Sequence, residues 1–161
     1  MKILVLVRHA KSSWEHDVTD IKRPLKGRGV NDAKLVSQRF KEEDFMPERV
    51  FSSPANRAFS TCKIFMDTLG VGIEEVTVDH KLYDFSGENI LGFIKSMDNK
   101  IESAMIFGHN FALTNLVNSL GSQYIGNFPT SGLAKIHFDI DTWENISKGS
   151  TNLLLKPKDL K

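Results

Sequence analysis

Two kinds of segment alternate along this chain. Ile3-Leu4-Val5-Leu6-Val7 is a continuous apolar run, too short for a helix, and predicts a strand buried on both faces. Over residues 27–45 the apolar positions Val30, Ala33, Leu35, Val36 and Phe40 recur at helical spacing, with Lys34, Gln38, Lys41 and Glu42 between them. Arg49-Val50-Phe51 reads as a second strand. Ser53-Pro54 predicts a helix start, a serine cap with proline at the first helical position, and the pattern continues through Ala58, Cys62, Phe65 and Leu69 to a stop at Gly70. Residues 76–80 predict a third strand, Ser86 caps a third helix through Ile90, Phe93 and Met97, and residues 103–107 form a fourth strand. Asn110 caps a helix over 111–120, and 133–138 and 152–155 finish the chain as strands. This alternation predicts an α/β domain, a three-layer sandwich with helices on both faces of a mostly parallel sheet.

Composition narrows the picture. A chain of 161 residues is room for one domain, since domains mostly run to about 100–150 residues. Residues 1–156 are expected to form it, with the polar stretch 157–161 frayed. At 40% hydrophobic and 25% charged the chain is neither disordered nor membrane-spanning. Twenty-one basic against twenty acidic residues leave a net charge of +1. That balance argues against a nucleic-acid partner and permits a local basic pocket. The first apolar run is cut short by Arg8 and His9, below the length of a signal peptide or a membrane span. The single cysteine, Cys62, allows neither an internal disulfide nor a multi-thiolate site, so a reducing, cytoplasmic setting is expected. No cluster has zinc-ligand spacing, and Lys11-Ser12-Ser13 lacks the glycine spacing of a nucleotide-binding loop, so neither a metal nor a cofactor is expected.

The chemistry collects where each apolar run ends, because open α/β sheets bind ligands outside the carboxyl ends of their strands. After the first strand come Arg8 and His9; after the second, Ser52, Ser53 and, one turn on, Arg57; after the fourth, Gly108, His109 and Asn110. The first loop adds Arg23. Two histidines and several arginines at one sheet edge suit a tetrahedral dianion, and phosphate fits. Burial and neighbouring cations both disfavour imidazolium, so one histidine is expected to be neutral and nucleophilic. Its attack on phosphorus gives a phosphohistidine, with the arginines stabilising the equatorial oxygens. Arg57, in the first turns of a helix, opposes the helix dipole unless an anion is near.

Five segments also resemble a known family. They are Leu6 to Trp14 (LVRHAKSSW), Lys22 to Gly29 (KRPLKGRG), Phe51 to Ala58 (FSSPANRA), Phe107-Gly108-His109-Asn110 and Phe128-Pro129-Thr130-Ser131-Gly132. In this order they resemble the histidine phosphatase superfamily, and within it the branch of small proteins related to the phosphohistidine phosphatase SixA. The resemblance implies a phosphoglycerate mutase-like fold. It implies His9 as the phosphorylated nucleophile, Arg8 and Arg57 clamping the phosphoryl oxygens, His109 completing the pocket and Arg23 as a further anion contact. Ala10 stands where much of the superfamily has glycine, which is harmless provided the backbone there needs no positive φ. Larger members supply a general acid from an inserted loop; here the acidic residues in the equivalent stretch are Asp84 and Glu88. Glu88 suits the first turn of a helix for dipole reasons alone, and Asp84 is open between structural and acid roles. A weak or missing acid favours phosphohistidine on a protein as substrate, because a phosphoramidate nitrogen leaves more readily than an alkoxide.

Two rivals accompany this reading: a phosphomonoesterase acting on a small phosphoester through the same pocket, and a non-catalytic phosphate- or phosphoprotein-binding module. A monomer is the simplest state, though no feature of the sequence sets it. Cys62 reads as a core residue, His16 as a surface residue, His80 and His137 as structural, and Trp14 and Trp143 as closing core edges.

Overall fold

Alternate residues of the first strand face opposite ways, and both ways are buried. Leu4 and Leu6 join one apolar cluster, Val5 and Val7 the other, which is why the run shows no polar alternation. The computed structural model describes residues 1–161 and builds a six-stranded sheet in the order β3-β2-β4-β1-β5-β6. The strands are β1 (Lys2–Arg8), β2 (Arg49–Ser52), β3 (Val76–Val78), β4 (Ser103–Gly108), β5 (Leu133–Phe138) and β6 (Ser150–Leu155). β1 to β4 run parallel, β5 is antiparallel to β1, and β6, antiparallel to β5, returns to the common direction, so the expected α/β architecture with a mostly parallel sheet is what the chain adopts.

Helices α1 (Gly27–Lys41) and α2 (Asn56–Leu69) cover the face carrying Val5, Val7, Met105 and Phe107. Helices α3 (Glu88–Lys95) and α4 (Ala112–Leu120) cover the face carrying Leu4, Leu6, Ala104 and Ile106. Cys62 lies in the α1/α2 layer, fully buried, and burial pushes its thiol up to about 12. Trp143 is equally buried, in the opposite layer. No helix is long and apolar enough to cross a membrane.

The departures from expectation have local causes. α1 ends at Lys41 rather than at residue 45, because Asp44 turns into the left-handed region (φ 54°) and swings Phe45 back edge-on to Phe40. α2 starts at Asn56 with Ala55 before it, not at Ser53-Pro54. β3 stops at Val78, and Asp79 caps a short 3-10 turn over His80–Leu82 by accepting from the Lys81 N–H. α3 follows Gly87 (φ 110°), so Ser86 is not its cap. α4 begins at Ala112, one residue later than expected, with Phe111 rather than Asn110 in the cap position; Asn110 still supports the first turn, its Oδ1 accepting from the Thr114 N–H at 3.0 Å. The tail expected to fray is instead a 3-10 turn, Pro157–Leu160, with Pro157 buried and Lys161 3.0 Å from Asp32 of α1. Trp14 does not close the core; it is 75% exposed.

Candidate active site

Two parallel neighbours, β1 and β4, end side by side, with Arg8 in register with Gly108. The His9 N–H donates to the Gly108 carbonyl at 3.1 Å, so the strand register itself sets the two histidines one step beyond the sheet edge. Their ring centroids are 5.4 Å apart. Behind them the Ser131 N–H donates to the carbonyls of Arg8 and His9, and Ser131 holds a left-handed φ of 60° to do so. Ala10 needs no positive φ and packs in the α1/α2 core, so alanine fits where glycine is common. Its N–H donates to Thr61 Oγ1 (2.8 Å), whose hydroxyl donates to the Arg57 carbonyl (2.7 Å), and this ties α2 to the histidine loop.

A cavity of about 280 Å³ opens at this edge, lined by Arg8, His9, Arg23, Arg57 and His109 together with Lys11, Ser12, Trp14, Asp20, Phe85, Asn110 and Thr130. Every residue expected to touch the anion is therefore in one place, Arg23 included. His9 Nδ1 lies 2.7 Å from the Ala10 carbonyl oxygen. A carbonyl can only accept, so Nδ1 carries the proton and Nε2 presents a lone pair. Burial, with the charges of Arg57, Arg8 and Arg23, lowers His9 to about 3 against the opposing pull of Ala10. Burial and the neighbouring charges lower His109 to about 3 as well. Both rings are neutral at ordinary pH. Ser53 Oγ accepts from the Ala55 N–H and has no other acceptor for its hydroxyl proton than His109 Nε2, 2.8 Å away. That assignment leaves His109 with its N–H at Nδ1.

Four residues lining the cavity bury an N–H that has no partner: Arg8 Nε, Arg23 Nη1, Arg57 Nε and His109 Nδ1. Buried donors are otherwise paired almost without exception, so such a group of orphans suits an oxyanion. Arg8 is further anchored by donating from Nη1 to the Phe128 carbonyl at 2.9 Å.

The sequence reading missed the carboxylate at the centre of this arrangement. Asp20 accepts from Arg57 Nη2 at 2.9 Å, from Arg23 Nε at 3.2 Å and from the Tyr83 hydroxyl at 2.6 Å. Arg57 Nη1 also donates to the Asp20 backbone carbonyl at 2.8 Å. The anion that the position of Arg57 on α2 called for is thus built into the chain. Burial works to raise Asp20, but the hydrogen bonds from Tyr83 and Arg57 and the charges of Arg57 and Arg23 outweigh it and hold the carboxyl below its usual range. Tyr83 packs edge-on to His109, ring centroids 5.3 Å apart. The Trp14 ring lies against the Arg23 guanidinium, 3.4 Å from ring centroid to its carbon, and so serves the site rather than the core. Asp20 stands three residues before Arg23, a spacing that pairs charges wherever the chain turns, and this was the available signal.

Asp84 and Glu88 are not brought to the cavity. The Asp84 carboxylate is spent on the start of α3, accepting the N–H groups of Ser86, Gly87, Asn89 and Ile90 at 3.0–3.1 Å, so it corrects the open choice toward a structural role. Glu88 sits exposed in the first turn of α3, as its dipole preference suggested. His16 and His80 are exposed and His137 is half-buried on β5, all outside the cavity. No group of three or more His, Cys, Asp or Glu side chains is placed to hold a metal ion.

Comparison with known proteins bears on the family and the fold. The family model described as histidine phosphatase superfamily (branch 1) matches residues 4–106. A phosphoglycerate mutase of Schizosaccharomyces pombe is 34% identical over 83 residues, 50% of this chain and 39% of that protein. A 2,3-bisphosphoglycerate-dependent phosphoglycerate mutase of Bradyrhizobium is 36% identical over 72 residues, 43% of this chain and 35% of that protein. The chain thus spans well under half the length of these curated relatives. Among solved structures, the protein histidine phosphatase SixA complexed with tungstate superposes with a TM-score of 0.83 at 24% identity, covering 99% of both chains. A putative phosphohistidine phosphatase SixA from Agrobacterium tumefaciens gives 0.81 at 24% identity, covering 97% of this chain and 98% of that one. At that identity the likeness is one of fold.

Proposed function

The chain belongs to the histidine phosphatase superfamily, and on that premise we propose that it is a phosphatase that passes the phosphoryl group through His9, with phosphohistidine on a protein as its favoured substrate. The observation that carries the reading is the bare Nε2 of His9, fixed by the Nδ1–H bond to Ala10 and facing a cavity lined by three guanidinium groups. Nε2 attacks phosphorus, the bond to the leaving group breaks, and the charge on the equatorial oxygens is met by Arg8, Arg23, Arg57 and the Nδ1–H of His109. Water then releases the phosphoryl group from His9. The chemistry needs no metal, because guanidinium groups supply the charge that a cation would.

The substrate class rests on the acids. Asp84 has no free acceptor or proton to offer, Glu88 is outside the cavity, and Asp20 is held ionised between two arginines. An alkoxide needs a proton as it leaves. A phosphorylated imidazole has a basic second ring nitrogen that takes a proton from solvent beforehand, so the ring leaves neutral without an enzymic acid. Exposed Phe85 and Trp14 on the cavity wall, with exposed Phe111 beside Asn110, suit a protein surface pressed around the phosphoryl group.

The test sets phosphohistidine-bearing proteins beside sugar phosphates and 3-phosphoglycerate. The expected outcome is faster turnover of the phosphohistidine, acid-labile label on His9 and no phosphoenzyme in His9→Ala. Preference for the esters, as in the phosphomonoesterase reading the mutase relatives favour, overturns the substrate assignment. Tight anion binding without any phosphoenzyme supports a binding module instead.

A further inference from the structure

We infer that Asp20 is the general base of the second half-reaction, taking a proton from the water that attacks phosphorylated His9, and that it thereby makes the pocket hydrolyse its phosphoenzyme rather than pass the phosphoryl group on. This rests on the reading of His9 as the nucleophile.

Asp20 is the one carboxylate among the residues lining the cavity. Its two oxygens are unequally used. Oδ2 accepts from Arg57 Nη2 and from the Tyr83 hydroxyl, whereas Oδ1 accepts only from Arg23 Nε, at the long distance of 3.2 Å. A carboxylate oxygen has room for two donors, so Oδ1 retains a direction for water, and the side chain is 43% exposed on the cavity side of the loop. The three donors fix the carboxylate plane and keep it ionised, so it can accept a proton and has none to give.

The steps balance. In the first, the Nε2 lone pair of His9 forms the new P–N bond while the substrate P–N bond breaks, its pair returning to an imidazole already protonated on its other nitrogen; Asp20 takes no part. In the second, the water oxygen bonds to phosphorus, one water proton passes to Asp20 Oδ1, and the P–Nε2 bond breaks with its pair returning to His9, whose Nδ1–H to Ala10 is unchanged. The protonated Asp20 then gives its proton to the departing phosphate. Without such a base, a phosphohistidine in a cationic pocket waits for a better acceptor, which is the behaviour a mutase needs.

The test separates the two half-reactions by rapid quench, with 32P-phosphoramidate as phosphoryl donor. In Asp20→Asn the phosphorylation rate should change less than about tenfold while dephosphorylation falls by about a hundredfold or more, as expected for loss of a positioned base, so labelled His9 accumulates. Formate should partly restore dephosphorylation in Asp20→Ala. Tyr83→Phe, which removes one donor from Oδ2, should move the acid limb of the dephosphorylation profile to higher pH and leave its plateau in place. An equal fall in both rates, or an unchanged dephosphorylation rate in folded Asp20→Asn, overturns the inference. Absence of phosphoenzyme from both the unaltered protein and folded Asp20→Asn while the donor is still turned over, or label on another residue, overturns the His9 reading itself, which is a distinct result.

Discussion

The active edge is made of two regions held in different ways. Arg8, His9 and His109 hang on β1 and β4, in the middle of the sheet, and their positions follow from strand register. Asp20, Arg23 and Trp14 hang on the stretch 9–26, an excursion pinned at its neck by the Ser13 N–H to Pro24 carbonyl (2.8 Å) and Lys26 N–H to Lys11 carbonyl (2.9 Å) bonds. Beyond that neck it is held by side chains: the ion pairs of Asp20 with Arg57 and Arg23, the Tyr83 hydroxyl and the Trp14 ring. The first region is rigid because the sheet is rigid. The second is ordered by the same guanidinium groups that the proposed mechanism assigns to the phosphoryl oxygens, so on that mechanism ligand and loop share a common set of arginines.

Acid separates the two most sharply. His9 and His109 titrate at about 3 in the folded protein, against 6.5 for free histidine. The unfolded chain therefore binds their protons first. Stability is complete above pH 6.5, falls as pH drops through the window down to about 3, and does so at roughly 1 kcal/mol or more per pH unit. Asp20 works in a lower window: its folded value lies below the ordinary 3.8, so its contribution is present above that pH and disappears only below it. Thermal denaturation against pH should show the histidine limb first. A flat profile between 6.5 and 4 breaks the account of the buried pair.

Next in size is a contrast of arginines. Arg57→Ala removes a guanidinium seated on α2 and should lower kcat/KM by about 10²–10³. Arg23→Ala removes one carried by the excursion and should lower it by about tenfold, with tungstate affinity falling in the same order. Equal losses would mean that the excursion is as fixed as the sheet edge. The smallest catalytic effect belongs to Asp84→Asn. It leaves N–H groups of α3 poorly paired, so stability should fall by about 1–3 kcal/mol, while kcat/KM changes less than about threefold. Calorimetry and steady-state rates on one preparation check both halves.

The sheet-edge region was legible in the sequence because apolar runs end abruptly and chemistry follows: Val7 then Arg8-His9, Phe107 then Gly108-His109. Of the excursion only Arg23 was. Its pairings join residues remote from one another, Asp20 to Arg57 and to Tyr83, and no periodicity links them. Local capping also misled. Ser53-Pro54 has the composition of a helix start, but the Ser53 hydroxyl is engaged by His109, and α2 begins later. Asp84 and Asp20 show the same limit from the other side. Both are aspartates in connections between a strand and a helix, and only their hydrogen-bond partners, four backbone amides in one case and two arginines and a tyrosine in the other, distinguish the structural acid from the one proposed as a base. The tail shows it again, since a short polar segment reads as frayed until the burial of Pro157 is seen.

The burial of Cys62 has a consequence for how such a protein would behave under stress. Phosphatases that attack through sulfur are silenced by peroxide, because the thiolate that makes them reactive also makes them oxidisable. Here the proposed nucleophile is nitrogen, and the chain's single thiol is buried in the apolar layer of α1 and α2 with its proton held. Alkylating agents and oxidants at levels that stop a thiolate enzyme should leave phosphoryl transfer running, so the molecule would go on removing phosphate in conditions where its sulfur-dependent counterparts have fallen silent.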